Sequence, residues 1–116
     1  MKSVVIVDDE SLVRVGLQSL FDWEQHGYTI VGVYQNGAEA IQSAPPDVLL
    51  TDIRMPDMDG LTLIEKLKKT LPALNIVIMS SYDDFDYMRK AIQYGVKDYI
   101  LKHKIEQDEL LGVLDR

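Results

Sequence analysis

Asp47-Val48-Leu49-Leu50-Thr51-Asp52 decides the fold of this chain. The run is short, almost continuously apolar, and ends in a carboxylate. It reads as a strand buried on both faces, as in a parallel sheet covered by helices. Three other segments have the same design: Ser3-Val4-Val5-Ile6-Val7 leads into Asp8-Asp9, Asn75-Ile76-Val77-Ile78-Met79 into Ser80, and Asp98-Tyr99-Ile100-Leu101 into Lys102. In an open α/β sheet, ligands bind at the carboxyl ends of the strands. A parallel sheet therefore brings Asp8, Asp9, Asp52, Ser80 and Lys102 to one edge. Those groups can hold a divalent metal and move a phosphoryl group.

Helix-like segments alternate with these runs, which favours an α/β fold. After Asp9-Glu10-Ser11, the positions Leu12, Val13, Gly16, Leu17, Leu20 and Phe21 fit a 3.6-residue period. A second strand is predicted from Tyr28 to Tyr34. Asn36 with Glu39 resembles a capping box opening a second helix, which Pro45-Pro46 ends. Gly60 precedes a third helix with Leu61, Ile64 and Leu67 on one face, and Pro72 separates it from the next strand. Asp83-Asp84 opens a fourth helix whose Phe85, Met88, Ala91 and Ile92 are expected to face the core. Gly95 is its expected C′ residue, and a last helix carries Leu110, Leu111 and Leu114.

The 116 residues suffice for one domain, 1–116, with a single core. Hydrophobic residues at 47% and charged residues at 27% place it among soluble globular domains. A net charge of -7 without a basic run argues against direct nucleic-acid binding. The lack of cysteine excludes disulfides and thiol catalysis and fits a reducing cytosol, so a cytoplasmic location is expected. No apolar run approaches the ~20 residues that span a membrane, and Met1-Lys2 lead into the first strand without a signal-peptide pattern.

Four motifs in order carry a resemblance: Val7-Asp8-Asp9-Glu10, Thr51-Asp52-Ile53-Arg54-Met55-Pro56-Asp57-Met58-Asp59-Gly60, Ile78-Met79-Ser80-Ser81, and Gly95-Val96-Lys97-Asp98-Tyr99-Ile100-Leu101-Lys102. Over essentially its whole length the chain resembles the receiver domain of bacterial response regulators. The stretches Phe21-Asp22-Trp23-Glu24 with Gly27-Tyr28, and Tyr82-Asp83-Asp84-Phe85-Asp86-Tyr87, resemble the branch whose receiver precedes an AraC-type DNA-binding domain. The resemblance implies a five-stranded parallel doubly wound sheet of order 2-1-3-4-5. It implies a phosphoacceptor switch rather than a turnover enzyme, with a sensor histidine kinase as donor and an output domain beyond this chain.

By resemblance, Asp52 is the phosphoacceptor, its carboxylate forming an acyl phosphate. Asp9, Asp52 and the backbone carbonyl of Arg54 would bind Mg²⁺ directly, and Asp8 through water. Lys102 would meet the phosphoryl oxygens as a point charge. Ser80 would hydrogen-bond a phosphoryl oxygen, and Tyr99 would then turn from solvent to a buried rotamer. Arg54 and Tyr82 occupy positions that tune phosphoryl loss and are expected to shield the acyl phosphate from water. The tyrosines Tyr82, Tyr87, Tyr94 and Tyr99 suggest a face, near Tyr94 and Tyr99, that pairs two receivers or touches the output domain.

His103 departs from the family, which carries a cis-linked proline after the lysine. A non-proline cis bond costs about 2.5–4 kcal/mol, so Lys102-His103 is expected to be trans, which puts the reach of Lys102 in question. That departure motivates one alternative, a phosphorylation-independent interaction module. A haloacid-dehalogenase-like phosphatase is a second; that family's Asp-x-Asp follows the first strand, where this chain has Asp8-Asp9-Glu10, and Asp57-Met58-Asp59 has the spacing but lies in a loop beyond Asp52. A flavodoxin-like cofactor protein is a third, opposed by the acidic Asp8-Asp9-Glu10 where a flavin phosphate would sit.

Overall fold

A computed structural model of the chain describes residues 1–55, 58–81 and 84–116. Five strands form one sheet: β1 (Lys2–Val7), β2 (Tyr28–Tyr34), β3 (Val48–Asp52), β4 (Asn75–Ser80) and β5 (Asp98–Leu101). Their order is β2-β1-β3-β4-β5 and every pairing is parallel. Five α-helices alternate with them: α1 (Ser11–Ser19), α2 (Gly37–Ala40), α3 (Gly60–Thr70), α4 (Phe85–Gln93) and α5 (Gln107–Leu114). This is the doubly wound sheet expected from the sequence.

Side chains of successive strand residues point to opposite faces, and the core divides accordingly. Val4, Ile6, Leu50, Val77 and Met79 pack with Leu17 of α1 and Leu110 and Leu114 of α5. Val5, Val7, Leu49, Ile76 and Ile78 pack with Ala40 of α2, Leu63 and Ile64 of α3, and Ala91 of α4. All five residues of β3 are buried, as its run of apolar residues predicts. Asp52 thus ends the most protected strand, which fixes the position of its backbone.

The helix ends follow local chemistry. Asn36 accepts the Glu39 N–H at 2.8 Å, and Asp59 accepts the Thr62 N–H at 2.9 Å. Only half of the expected capping box forms, because the Glu39 carboxylate receives Gln35 Nε2 at 3.3 Å. The helix it opens stops at Ala40, well before Pro45-Pro46. Gly60 is the first residue of α3 rather than its predecessor. Gly95, with φ of 85°, supplies the left-handed turn after α4 that the sequence suggests.

Two expected core positions are corrected: Phe85 is 66% exposed and Ile92 is also exposed. Leu12, which fits the helical period of α1, is 84% exposed. α1 buries Leu17 and α4 buries Ala91, so each helix turns a narrower stripe inward than its apolar residues allow. Asp83 and Tyr82 lie outside the described residues.

The Phe21-to-Tyr28 stretch closes one end of the core. Trp23 is buried, stacks on Phe21 at 4.6 Å, and donates its indole N–H to the Leu17 carbonyl at 3.0 Å. Gly27, with φ of 88°, then turns the chain into β2. Tyr28 meets Trp23 edge-on and donates its hydroxyl to Asp115 at 2.7 Å, tying β2 to the end of α5. Burial, with the Asp115 carboxylate beside it, pushes the Tyr28 phenol up to about 12.

Candidate functional site

Four strand ends converge on Lys102. β4 and β5 are joined where the Lys102 N–H donates to the Ser80 carbonyl at 2.8 Å, and this aims the lysine back across the sheet edge. Its Nζ lies 2.6 Å from Asp52 Oδ2, 2.8 Å from Glu10 Oε1, 3.1 Å from Asp8 Oδ1 and 3.8 Å from Asp9 Oδ1. No cis peptide bond occurs among the described residues, so Lys102-His103 is trans, as expected without proline. The trans linkage leaves Lys102 within reach of every carboxylate in the cluster. The ammonium is buried, so its attraction to these groups is screened far less than at a surface.

Asp52 is 2% exposed. Its carboxylate accepts Lys102 Nζ and, at 3.4 Å, the backbone N–H of Arg54. Burial raises its carboxyl to about 7, helped by the charge of Asp8 and opposed by Lys102. Asp8 is also raised, chiefly by burial, although the Glu10 N–H and Lys102 favour its charged form. Burial alone would lower Lys102, but its bonds to Asp52 and Glu10 outweigh that and hold it well above the usual lysine range.

Asp8, Asp9 and Glu10 bring one carboxylate oxygen each within 4.8 Å of one another. Asp8 Oδ2 is buried and has no hydrogen-bond partner among the described residues. An orphaned buried carboxylate oxygen beside two partly exposed carboxylates suits a hard divalent cation with oxygen ligands. Asp52 joins this trio through Lys102. Asp8, Asp9 and Asp52 are therefore brought together, and Arg54 sits with its backbone beside Asp52.

Ser80 is buried at the end of β4, where its hydroxyl faces Met88 Sδ of α4 at 3.0 Å. Tyr99 is 46% exposed, and Tyr94 is exposed as well. The Arg54 guanidinium reaches Asp84 at 3.3 Å and lies 5.3 Å from the centre of the Tyr87 ring. Tyr82, named with Arg54 as a shield, lies outside the described residues, as does Asp57. Asp59, the other carboxylate of the Asp-x-Asp alternative, caps α3.

Two residues matter more than the sequence pattern shows. Glu10 stands in a motif without a role of its own, yet it makes one of the shortest contacts to Lys102. Its signal was its place beside two assigned acids. Asp84 was read as a helix opener. It stands at the N-cap position of α4, but its side chain makes no bond to the helix and turns to the Ser81 N–H and to Arg54.

Comparison with known proteins agrees with this geometry. The family model of the response regulator receiver domain matches residues 4–115. The transcriptional regulatory protein YesN of Bacillus subtilis (strain 168) is 36% identical over 125 residues, covering 100% of this chain and 34% of the relative. The transcriptional regulatory protein HptR of Staphylococcus aureus (strain N315) is 39% identical over 119 residues, covering 100% of this chain and 46% of the relative. The chain thus spans less than half the length of these relatives. Among solved structures, the REC domain of AraT, a response regulator from Geobacillus stearothermophilus, superposes with a TM-score of 0.86 at 34% identity, covering 98% of this chain and 91% of that one. A two component transcriptional regulator AraC from Clostridium phytofermentans ISDg gives 0.85 at 34% identity, covering 99% and 94%.

Proposed function

The chain belongs to the response regulator receiver family, and from that premise we propose that it accepts a phosphoryl group on Asp52 and relays the event to a transcription-regulating output domain. The observation that carries this reading is a 2% exposed carboxylate at a strand end, 2.6 Å from a buried ammonium and beside an acidic trio. In the proposed reaction an Asp52 oxygen bonds to phosphorus as the P–N bond of a kinase phosphohistidine breaks. The imidazole leaves and takes a proton from water. The nucleophile is the ionised Asp52 carboxylate; burial raises its pKa to about 7, and Lys102 opposes that rise and so favours the reactive form.

Asp8, Asp9, Asp52 and the Arg54 carbonyl are the proposed holders of Mg²⁺, with Glu10 at the rim. Bound there, the ion supplies charge neutralisation for the incoming phosphoryl oxygens. Lys102 holds those oxygens as a point charge, and Ser80 exchanges Met88 for one of them. Tyr99 then follows inward from its exposed position. Moving such a switch from 1:99 to 99:1 requires about 5.5 kcal/mol of differential stabilisation. Roughly two to four charge-assisted hydrogen bonds at about 1.5–3 kcal/mol each supply that.

A cytoplasmic sensor histidine kinase domain is the proposed donor. The face bearing Tyr94 and Tyr99 is the proposed contact for a second receiver or for the output domain. No described helix is long and apolar enough to cross a membrane.

The test is intact mass after incubation with acetyl phosphate, with and without Mg²⁺. A gain of one phosphoryl group is expected with Mg²⁺, and no gain in Asp52→Ala. A folded wild-type chain that gains nothing from either acetyl phosphate or a kinase would favour the phosphorylation-independent module.

A further inference from the structure

Arg54 follows β3 and Ser81 follows β4, and one buried acid ties these two residues together. Asp84 is 2% exposed. Its Oδ2 accepts the Ser81 N–H at 2.8 Å, and its Oδ1 accepts Arg54 Nη1 at 3.3 Å. The Arg54 guanidinium also lies over the Tyr87 ring. Asp84 therefore connects the residue next but one after the acceptor to the residue next after Ser80.

The geometry points to Asp84 as a positioning residue for the phosphoryl site: it holds the Arg54 guanidinium against α4, and a phosphoryl group on Asp52 competes with it for that guanidinium. The inference rests on Asp52 being the acceptor. The 3.3 Å bond is long for a charge-assisted pair, which ordinarily closes to about 2.7–2.9 Å. A phosphoryl group offers three strong acceptor oxygens and about -1.5 to -2 charges, and the guanidinium fork matches that geometry. Arg54 is rooted beside the acceptor, its backbone N–H 3.4 Å from Asp52 Oδ1, so its side chain starts from a point next to the phosphoryl site. Among the described residues, Arg54, Met55, Asp59 and Tyr87 line an open cavity of about 350 Å³, which gives the side chain room to swing.

The exchange reaches α4 at two points. The Asp84 carbonyl accepts the Met88 N–H at 3.0 Å, and Met88 Sδ faces the Ser80 hydroxyl. When Arg54 leaves Asp84 and Ser80 turns to the phosphoryl group, α4 loses the Arg54–Asp84 and Ser80–Met88 contacts together.

The reaction affected is hydrolysis of the acyl phosphate. A water oxygen bonds to phosphorus, the bond from phosphorus to the Asp52 oxygen breaks, and the carboxylate leaves with its electron pair. The water's protons pass to the phosphate product and to solvent. A guanidinium seated on the phosphoryl oxygens obstructs the approach of that water. Asp84→Asn keeps an acceptor for the Ser81 N–H while removing the carboxylate charge that pairs with Arg54.

The experiment follows phosphoryl half-life by intact mass in four proteins: wild type, Asp84→Asn, Arg54→Ala and the double variant. Asp84→Asn is expected to lengthen the half-life about three-fold or more, and to have no effect in the Arg54→Ala background. A purely structural role for Asp84 would act equally in both backgrounds, and that outcome overturns the proposal, as does an unchanged or shortened half-life in Asp84→Asn. A wild type that gains no phosphoryl group overturns the acceptor reading and this inference with it. Normal uptake without dependence on Arg54 overturns this inference alone.

Discussion

Gly60→Ala is expected to lose about 3 kcal/mol or more of stability, near the upper end of what overpacking costs. A Cβ on Gly60 would clash with the Asp52 carbonyl oxygen and meet Ile53 Cα at 2.7 Å. Both are backbone atoms, so no rotamer change relieves the clash. The Gly60 N–H donates to the Ile53 carbonyl at 2.9 Å, so moving α3 away breaks the bond that seats its first turn. Because the displaced backbone includes Asp52, phosphoryl uptake should fall with stability. Denaturant midpoints read by Trp23 fluorescence would measure the loss. Gly16→Ala is the matched control: nothing lies within 4 Å of its Cβ, and an interior helical alanine should gain about 0.5–1 kcal/mol. A Gly60→Ala midpoint close to wild type would show that α3 does not press on the acceptor strand as described.

Lys102→Ala is expected to destabilise the Mg²⁺-free protein by about 3–5 kcal/mol near pH 8, the range for removing one partner of a buried ion pair. Lys102 contacts Asp8, Asp9, Glu10 and Asp52, and two of these acids are buried. The pH dependence has a definite sign. The Asp52 carboxyl is raised to about 7 in the folded chain. A folded pKa above the unfolded one means that its contribution is fully present below about pH 4 and is lost as pH rises through about 7. Removing Lys102, which favours the charged form, moves Asp52 and Asp8 further up and deepens that loss. The variant should therefore lie closest to wild type near pH 5 and furthest below it near pH 8. Added Mg²⁺ should restore stability at pH 8, by mass action on the folded state. A pH-independent deficit would contradict the carboxylate cluster as its cause.

Much of this fold was legible because strand chemistry is local. Val4 through Val7 and Val48 through Leu50 are apolar without interruption, so both faces had to be covered, and the acids that follow each run had to sit near the sheet edge. Strand order was legible only by resemblance, since nothing in β2 states that it pairs with β1. The helix phases were less legible. Leu12, Phe85 and Ile92 satisfy the helical period, but which side of a wide apolar stripe turns inward depends on the neighbouring helix and strand. The site followed the same division. Asp8, Asp52, Ser80 and Lys102 were found by their positions at strand ends. The Glu10–Lys102 contact joins residues far apart in sequence, and no local pattern announces it. Asp83-Asp84 marks the opening of the fourth helix in the sequence, where an aspartate ordinarily caps. Here the Ser81 N–H and Arg54 claim the Asp84 carboxylate instead.

Borohydride trapping would locate the phosphoryl group. Reduction of an aspartyl phosphate leaves homoserine, and peptide mass spectrometry reads its position. After incubation with acetyl phosphate and Mg²⁺, homoserine is expected at position 52 and at no other acid of the cluster. Homoserine at position 8 or 9, or none in a folded protein that has gained phosphoryl mass, would contradict Asp52 as the acceptor.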